Sequence, residues 1–298
     1  MSISTPSHLV ENWTSWYGAE QTAQILLQLE TRLAEATRRW GLSNLNPLPH
    51  GAVAHTFAAE CSIGPVIVKL TPLAFPAHLD EAMVEGQALR YWSATHRTPK
   101  IHGLLHNGLT ILMEKIEDSR VADLLPPPNQ VTLLARAARA ISQIECPREP
   151  TAFAHISQSH RKDEWVEILQ ERSPELLETL HRLIEPAPTD RLLHQDLHSR
   201  NILIRDDGYW IIDPKPLIGD PHGEVFGLLT NRSLAALEAN PTETIEQYAR
   251  VAGLDPKRLS QWLAIRSLTT ANWTLEAKPD WGKRLMVVHE VTKKLALS

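Results

Sequence analysis

Cysteine is scarce: the chain has two thiols, Cys61 and Cys146, far apart and in no metal or redox motif. This excludes a disulfide framework and fits a reducing cytoplasm. No apolar run approaches membrane-spanning length, and Met1-Ser2-Ile3-Ser4-Thr5-Pro6 has no basic region followed by an apolar stretch. Neither a membrane anchor nor a secretory leader is expected, and the chain reads as cytoplasmic. A large excess of charge of one sign is lacking as well. A net charge of −5 offers no general attraction to nucleic acid or anionic lipid, and mildly favours a cationic small molecule. There are no internal repeats or low-complexity tracts, and the short proline clusters are too brief to be linkers.

What is present is a globular composition, 43% hydrophobic and 22% charged, in 298 residues, enough for one large domain or two lobes. The richest segment is Leu193-His194-Gln195-Asp196-Leu197-His198-Ser199-Arg200-Asn201-Ile202-Leu203-Ile204, followed by Ile211-Ile212-Asp213-Pro214. Two short apolar stretches, 201–205 and 209–212, flank Asp206-Asp207-Gly208 and read as a hairpin that returns Asp213 to the side of Asn201. Phosphoryl transfer needs an oriented hydroxyl and Mg²⁺ held over phosphate oxygens. Asp196 would take the hydroxyl proton, and Asn201 and Asp213 would offer oxygens to the metal. A buried hairpin with capping carboxylates is the plainer alternative, but the combined spacing favours catalysis. His194 and His198 lie four apart, yet no third ligand is near and no helix frames them, so His194 is expected to brace the loop rather than bind zinc.

Upstream, Ile25, Leu29, Leu33, Ala36 and Trp40 recur at spacings of three and four, which predicts an amphipathic helix from Glu20 to Trp40. Past Gly41 and two prolines, residues 56–60 and 65–70 read as strands turned by Ser62-Ile63-Gly64. Lys69 ends the second strand. A lysine there is costly unless it meets anions such as nucleotide phosphates, and Glu85, on a helix expected over 80–93, is preferred to Glu81 as its partner. The turn at 49–56 holds a single glycine, so it is not a Gly-rich phosphate loop. Small Ala52 and Ala54 would nevertheless permit close approach, with Thr56 donating to phosphate, though an ordinary hairpin turn explains it equally. The strand 109–116 would lead into the second lobe, with Met113 as wall or core and the backbone of Glu114 and Ile116 at an adenine edge. Helices over 130–145 and around 164–185 make the second half mainly helical.

Together with the catalytic segment, Ile212-Asp213-Pro214-Lys215-Pro216-Leu217-Ile218-Gly219-Asp220-Pro221, Arg232, Leu254-Asp255, Trp262 and Trp273-Thr274-Leu275-Glu276 resemble the aminoglycoside phosphotransferase family, in its streptomycin 6-kinase and hydroxyurea-kinase branch. The resemblance implies an α+β, protein-kinase-like fold of two lobes. A small N-terminal lobe, 1–113, would carry an antiparallel sheet and the nucleotide site, and a larger, mainly helical lobe, 114–298, the catalytic loop, metal site and acceptor pocket. It also implies ATP as donor, Mg²⁺ as cofactor, Asp196 as base, Asn201 and Asp213 as metal ligands, and Lys69 on the α and β phosphates. Gln195 and Ser199-Arg200 depart from the glycine, proline or histidine common in the family, and Gly223-Glu224 from the branch's usual aromatic residue and aspartate.

For a guanidinium-bearing acceptor, carboxylates and aromatic faces are wanted, so Asp196, Gln195, Glu224, Trp273 and Glu276 are the substrate-binding candidates. Helix-surface positions for the two glutamates, and core packing for Trp273, explain the same residues. The expected function is transfer of the ATP γ-phosphate to a streptomycin-like aminoglycoside by a protein that meets neither nucleic acid nor membrane; the sequence does not fix its oligomeric state, a monomer being favoured. A kinase for hydroxyurea or a metabolite, and an inactive nucleotide-binding regulatory protein, are the alternatives.

Overall fold

The computed structural model describes residues 4–49, 51–73, 79–147 and 151–298, with the side chains of 79–81 and 231 left aside. His50, in the turn before the first long strand, and the Glu81 side chain therefore lie outside the described residues. The chain forms two compact units: Met1–Ser93 with Thr98–Glu117, and Ala94–Arg97 with Asp118–Ser298.

The first unit opens with α1 (Ser7–Trp40), which begins well before the predicted Glu20. Gly18, at φ +82°, breaks the helical path, and Leu9 and Trp13, both fully buried, resume the apolar stripe on its far side. A periodicity sought in one straight helix loses its phase at such a break. The helix stops at Gly41, whose left-handed φ of 62° lets its N–H bond Thr37 O. Next come β1 (Ser43–Pro47), β2 (His55–Cys61), β3 (Gly64–Leu70), α2 (Leu79–Tyr91), β4 (Ile101–Leu105) and β5 (Thr110–Glu114). The five strands form one antiparallel sheet in the order β1-β2-β3-β5-β4. Cys61 faces Gly64 across the tight turn, and Thr56 faces Lys69.

The alternation in β2 buries His55, Phe57 and Ala59. Together with Val66, Val68, Leu70 and Leu112 they meet Ile25, Leu29, Leu33 and Ala36 of α1 to make this unit's core. Arg32 is also buried in α1, its guanidinium satisfied by Thr71 O at 2.7 Å, Thr110 Oγ1 at 2.8 Å and Leu109 O, which ties the helix to the start of β5.

In the second unit β6 (Arg120–Val121), α3 (Pro127–Ser142), α4 (His160–Arg172) and α5 (Leu177–Leu183) precede β7 (Arg191–Leu193), β8 (Ile202–Arg205), β9 (Gly208–Ile211) and β10 (Leu217–Gly219). Then follow α6 (Asn231–Ala239), α7 (Pro241–Ala252), α8 (Pro256–Ala277) and α9 (Pro279–Leu297). β8 and β9 form the expected hairpin, with Arg205 opposite Gly208, and β6 adds to its edge. β10 pairs with β7, so the stretches before Asp196 and after Asp213 run side by side. Prolines open α7, α8 and α9, where a missing N–H costs nothing, and the Asp255 carboxylate caps α8 at Arg258 N. An antiparallel sheet in one unit and helices in the other give the expected α+β architecture. No helix among the described residues is long and apolar enough to cross a membrane.

Candidate active site

The first unit buries an ion pair. Lys69 Nζ lies 2.6 Å from Glu85 Oε2, with side chains only 11% and 4% exposed. β3 delivers the lysine between Thr56 on β2 and Ile111 on β5, and α2 delivers the glutamate. Desolvating two charges costs about what their attraction returns, so such a pair is weak evidence for stability. Thr56 is half-buried beside Lys69, and its carbonyl accepts from Leu48 N at 2.8 Å. The turn before it is pinned by α1. His8 Nε2 donates to Gly51 O at 3.0 Å, Asn12 Nδ2 to Ala52 O at 3.1 Å and Trp13 Nε1 to Val53 O at 3.0 Å.

Met113 is core, 7% exposed, with Ile67 and Ile101 opposite it in the sheet. The Glu114 N–H, one of the backbone groups considered for adenine, is committed to Lys100 O at 2.8 Å, and its carboxylate accepts from Lys100 N. Ile116 is nearly buried.

In the second unit the loop after β7 turns sharply at Gln195, φ +61°, and leaves Asp196 partly buried. Asn201 donates its amide to Asp196 O at 2.9 Å, which leaves Oδ1 as its donor atom for a cation. Asn201 O accepts from Ile212 N at 3.0 Å, so the hairpin does return Asp213 to Asn201. Asp213 is exposed and takes φ +60°. His194 braces this arrangement. Its Nε2 donates to Ile212 O at 2.9 Å and its Nδ1 accepts the Asp196 N–H at 3.2 Å. Burial holds its imidazole down at about 4, so it stays neutral with both ring nitrogens occupied. No cluster of three or more His, Cys, Asp or Glu among the described residues could hold a metal. One amide oxygen and one carboxylate suit Mg²⁺, which keeps waters and takes substrate phosphates for the rest.

Two acceptor candidates change character. Glu224 is neither helix surface nor open to a ligand. It is 3% exposed at the end of a 3₁₀ turn, accepting from His194 N at 2.6 Å and Gln195 N at 3.1 Å. Desolvation pushes its carboxyl up to about 7, against the lowering effect of those two N–H groups and of Arg266. Gln195 is equally buried, at 3%, its amide reaching Gly223 O at 3.4 Å. Both residues form the floor beneath Asp196. Trp273 and Glu276 sit on the exposed side of α8, where the Trp273 indole donates to Glu164. No hydrogen bond, ion pair or ring contact among the described residues joins either to the catalytic loop.

Sequence reasoning gave no role to three residues here. Gly227 passes so close to Leu197 O that no Cβ would fit. Asp220 gathers Trp262 Nε1 at 2.6 Å, Arg258 Nε at 2.7 Å and His222 Nδ1 at 2.7 Å, fastening α8 to the segment below the loop. Lys215 places its ammonium 2.9 Å from Asp196 Oδ2.

A sheet-bearing unit with a buried Lys–Glu pair and a helical unit with this loop and hairpin place the chain among protein-kinase-like folds. Solved structures agree. Choline kinase LicA from Streptococcus pneumoniae superposes with a TM-score of 0.59 at 13% identity, covering 91% of this chain and 99% of the other. A thermostable mutant aminoglycoside phosphotransferase, in ternary complex with ADP and hygromycin B, gives 0.56 at 14%, covering 89% and 98%. Residues 64–277 match the model of the aminoglycoside/hydroxyurea antibiotic resistance kinases, and the chain belongs to that family. It is thus a phosphotransferase acting on a hydroxyl group. A hydroxyurea phosphotransferase of Kitasatospora aureofaciens is 26% identical over 92% of this chain and 81% of its own length. A streptomycin 6-kinase of Streptomyces glaucescens is 25% identical over 92% of both.

Proposed function

We propose that the protein transfers the γ-phosphoryl group of ATP to a hydroxyl of a streptomycin-like aminoglycoside, with Mg²⁺ as cofactor. The site observation that carries this is the partly buried Asp196, whose backbone N–H and carbonyl are fixed by His194 and Asn201 in the loop that the hairpin brings beside Asp213. In this reading Asp196 accepts the hydroxyl proton as the acceptor oxygen attacks phosphorus. Lys69, aimed by Glu85, neutralises the α and β phosphates, and Thr56 and the pinned turn at 51–53 lie over them. At the adenine edge Glu114 contributes its carbonyl, since its N–H is taken, and Ile116 its backbone. Asn201 Oδ1 and the Asp213 carboxylate would hold Mg²⁺, whose charge offsets that of the phosphates.

For the acceptor, the streptomycin reading is supported by coverage of 92% of a streptomycin 6-kinase's length against 81% for the hydroxyurea enzyme. Of the candidate contacts, Asp196, Trp273 and Glu276 keep accessible surface, and carboxylates suit a guanidinium. Hydroxyurea is the second reading, favoured by the slightly higher identity of its kinase.

The test is purified protein with Mg²⁺-ATP and a panel of aminoglycosides, hydroxyurea and hydroxylated metabolites, read by the mass gain of one phosphate. A gain on streptomycin is expected. A gain on hydroxyurea alone moves the assignment to the second reading, and failure on every aminoglycoside overturns the first. Asp196→Ala is expected to lower turnover by roughly 10²–10⁴-fold with nucleotide affinity retained. Near-normal turnover in that variant would remove Asp196 from the role of base.

A further inference from the structure

The ion pair between Lys215 and Asp196 is the feature of the site that the reading above leaves unused. Lys215 Nζ stands 2.9 Å from Asp196 Oδ2, the side chains being 45% and 14% exposed. The backbone around the lysine is tightly determined. Pro214 and Pro216 are buried on either side, Lys215 N donates to His194 O at 2.9 Å, and β10 then pairs with β7. A pair with its lysine this exposed contributes little to stability, so stability does not account for such placement.

The other groups that could bring positive charge to Asp196 are turned elsewhere or stand too far off. Arg200 Nε is engaged by Asp123 at 3.2 Å, and His198 Nε2 lies 3.8 Å from Asp196 Oδ1, beyond hydrogen-bond range. Lys215 is therefore, among the described residues, the cation in contact with the carboxylate. An acceptor hydroxyl approaching Asp196 must displace this ammonium from Oδ2 or share the carboxylate with it. In both cases Nζ remains beside the oxygen that attacks phosphorus.

We infer that Lys215 is a catalytic residue whose ammonium donates to the non-bridging oxygens of the phosphoryl group during transfer, from the acceptor's side. The inference rests on Asp196 being the base. The acceptor oxygen forms the new bond to phosphorus, and the bond to the bridging oxygen breaks with its electron pair leaving on ADP. The hydroxyl proton passes to Asp196, and Lys215 keeps all its protons. The ammonium thus meets charge that develops on the transferring group, where fixed donors are most effective.

The experiment compares wild type with Lys215→Met, Lys215→Arg and Lys215→Cys, the last before and after alkylation by 2-bromoethylamine, which rebuilds an ammonium on a side chain of lysine length. Wild type treated in the same way controls for Cys61 and Cys146. Lys215→Met is expected to lower kcat by roughly 10²–10³-fold while the KM values for ATP and acceptor stay nearly unchanged. Lys215→Arg should recover part of the rate. Lys215→Cys should be as slow as the methionine variant and regain activity on alkylation. A wild-type kcat in Lys215→Met, a loss confined to KM, or a folded and nucleotide-binding Lys215→Cys that alkylation fails to restore would overturn the inference. If Asp196→Ala is inactive while Lys215→Met is active, only this inference falls. If Asp196→Ala turns over, the base assignment and the inference fall together. Wild type that transfers phosphate neither to any acceptor nor to water overturns both.

Discussion

Glu224 illustrates what one carboxylate can do without touching a substrate. It receives the N–H groups of His194 and Gln195, the two residues before Asp196, and so holds a turn in which Gln195 adopts φ +61°. For a residue with a Cβ that conformation costs on the order of 1–3 kcal/mol and persists only where its surroundings impose it. The carboxyl rises from 4.5 to about 7 because burial disfavours its charge. A pKa raised in the folded state stabilises the fold fully below the unfolded value, and that stability is lost as pH rises through the folded one. Between pH 4.5 and about 7 the wild type should lose on the order of 3 kcal/mol relative to Glu224→Gln, which cannot titrate. Urea unfolding of both proteins from pH 5 to pH 8 measures this, and a constant difference across the range would refute the assigned titration. The pairing of Lys69 with Glu85 and the return of the hairpin to Asn201 were legible in the sequence because a charge on an apolar strand, or a turn between two apolar stretches, is a local pattern. Glu224 was not. Its partners are backbone groups about thirty residues away, and nothing local to Gly223-Glu224 signals that its side chain turns inward.

The N-terminal third of α1, before the break at Gly18, acts on the turn at 51–53. His8, Asn12 and Trp13 bond three successive carbonyls, those of Gly51, Ala52 and Val53. The break re-aims this part of the helix while Leu9 and Trp13 stay buried in the core. If the turn covers nucleotide phosphates, as proposed, its mobility is set by a helix some forty residues earlier in the chain. Each of these bonds is worth about 1 kcal/mol. Asn12→Ala combined with Trp13→Phe, which keeps the aromatic ring, is expected to raise KM for ATP by roughly tenfold and to speed amide exchange across 51–55, with a smaller effect on kcat. Unchanged exchange in that stretch would show that the helix does not hold the turn. The sheet shows the same limit of legibility. β2, β3 and β5 were readable from alternation and turn residues. β1 was not, because its Ser-Asn-Leu-Asn-Pro sequence is mostly exposed at the sheet edge and carries no apolar rhythm.

The family match spans residues 64–277, yet the folding units do not. Residue 64 is the first of β3, so the match leaves out α1, β1 and β2, and at the other end it stops with α8 and leaves out α9. Those outer elements are structural necessities. Nine of the thirteen residues in the first unit's core cluster precede residue 64, among them Leu9, Trp13, Ile25, Leu29, Leu33, Leu42 and Phe57. Full burial of a large apolar side chain contributes roughly 1.5–3 kcal/mol, so losing these seven removes an amount comparable to or larger than the ~5–15 kcal/mol by which a typical domain is stable. β3 would also lose its β2 partner and present an open apolar edge. In the second unit α9 buries Leu285, Val288 and Ala296, and its His289 Nδ1 bonds Ala264 O at 2.8 Å while Trp281 Nε1 reaches Leu229 O at 2.8 Å. A chain cut to residues 64–277 is therefore expected to show no cooperative unfolding transition by circular dichroism in urea and no nucleotide-dependent shift in melting. Leu29→Ala in the whole chain, which removes one contact from the same interface, should keep a cooperative transition but lower stability by about 2–5 kcal/mol. A sigmoidal transition and a nucleotide shift in the cut chain would show that α1 and α9 are appended to the kinase fold rather than part of its core.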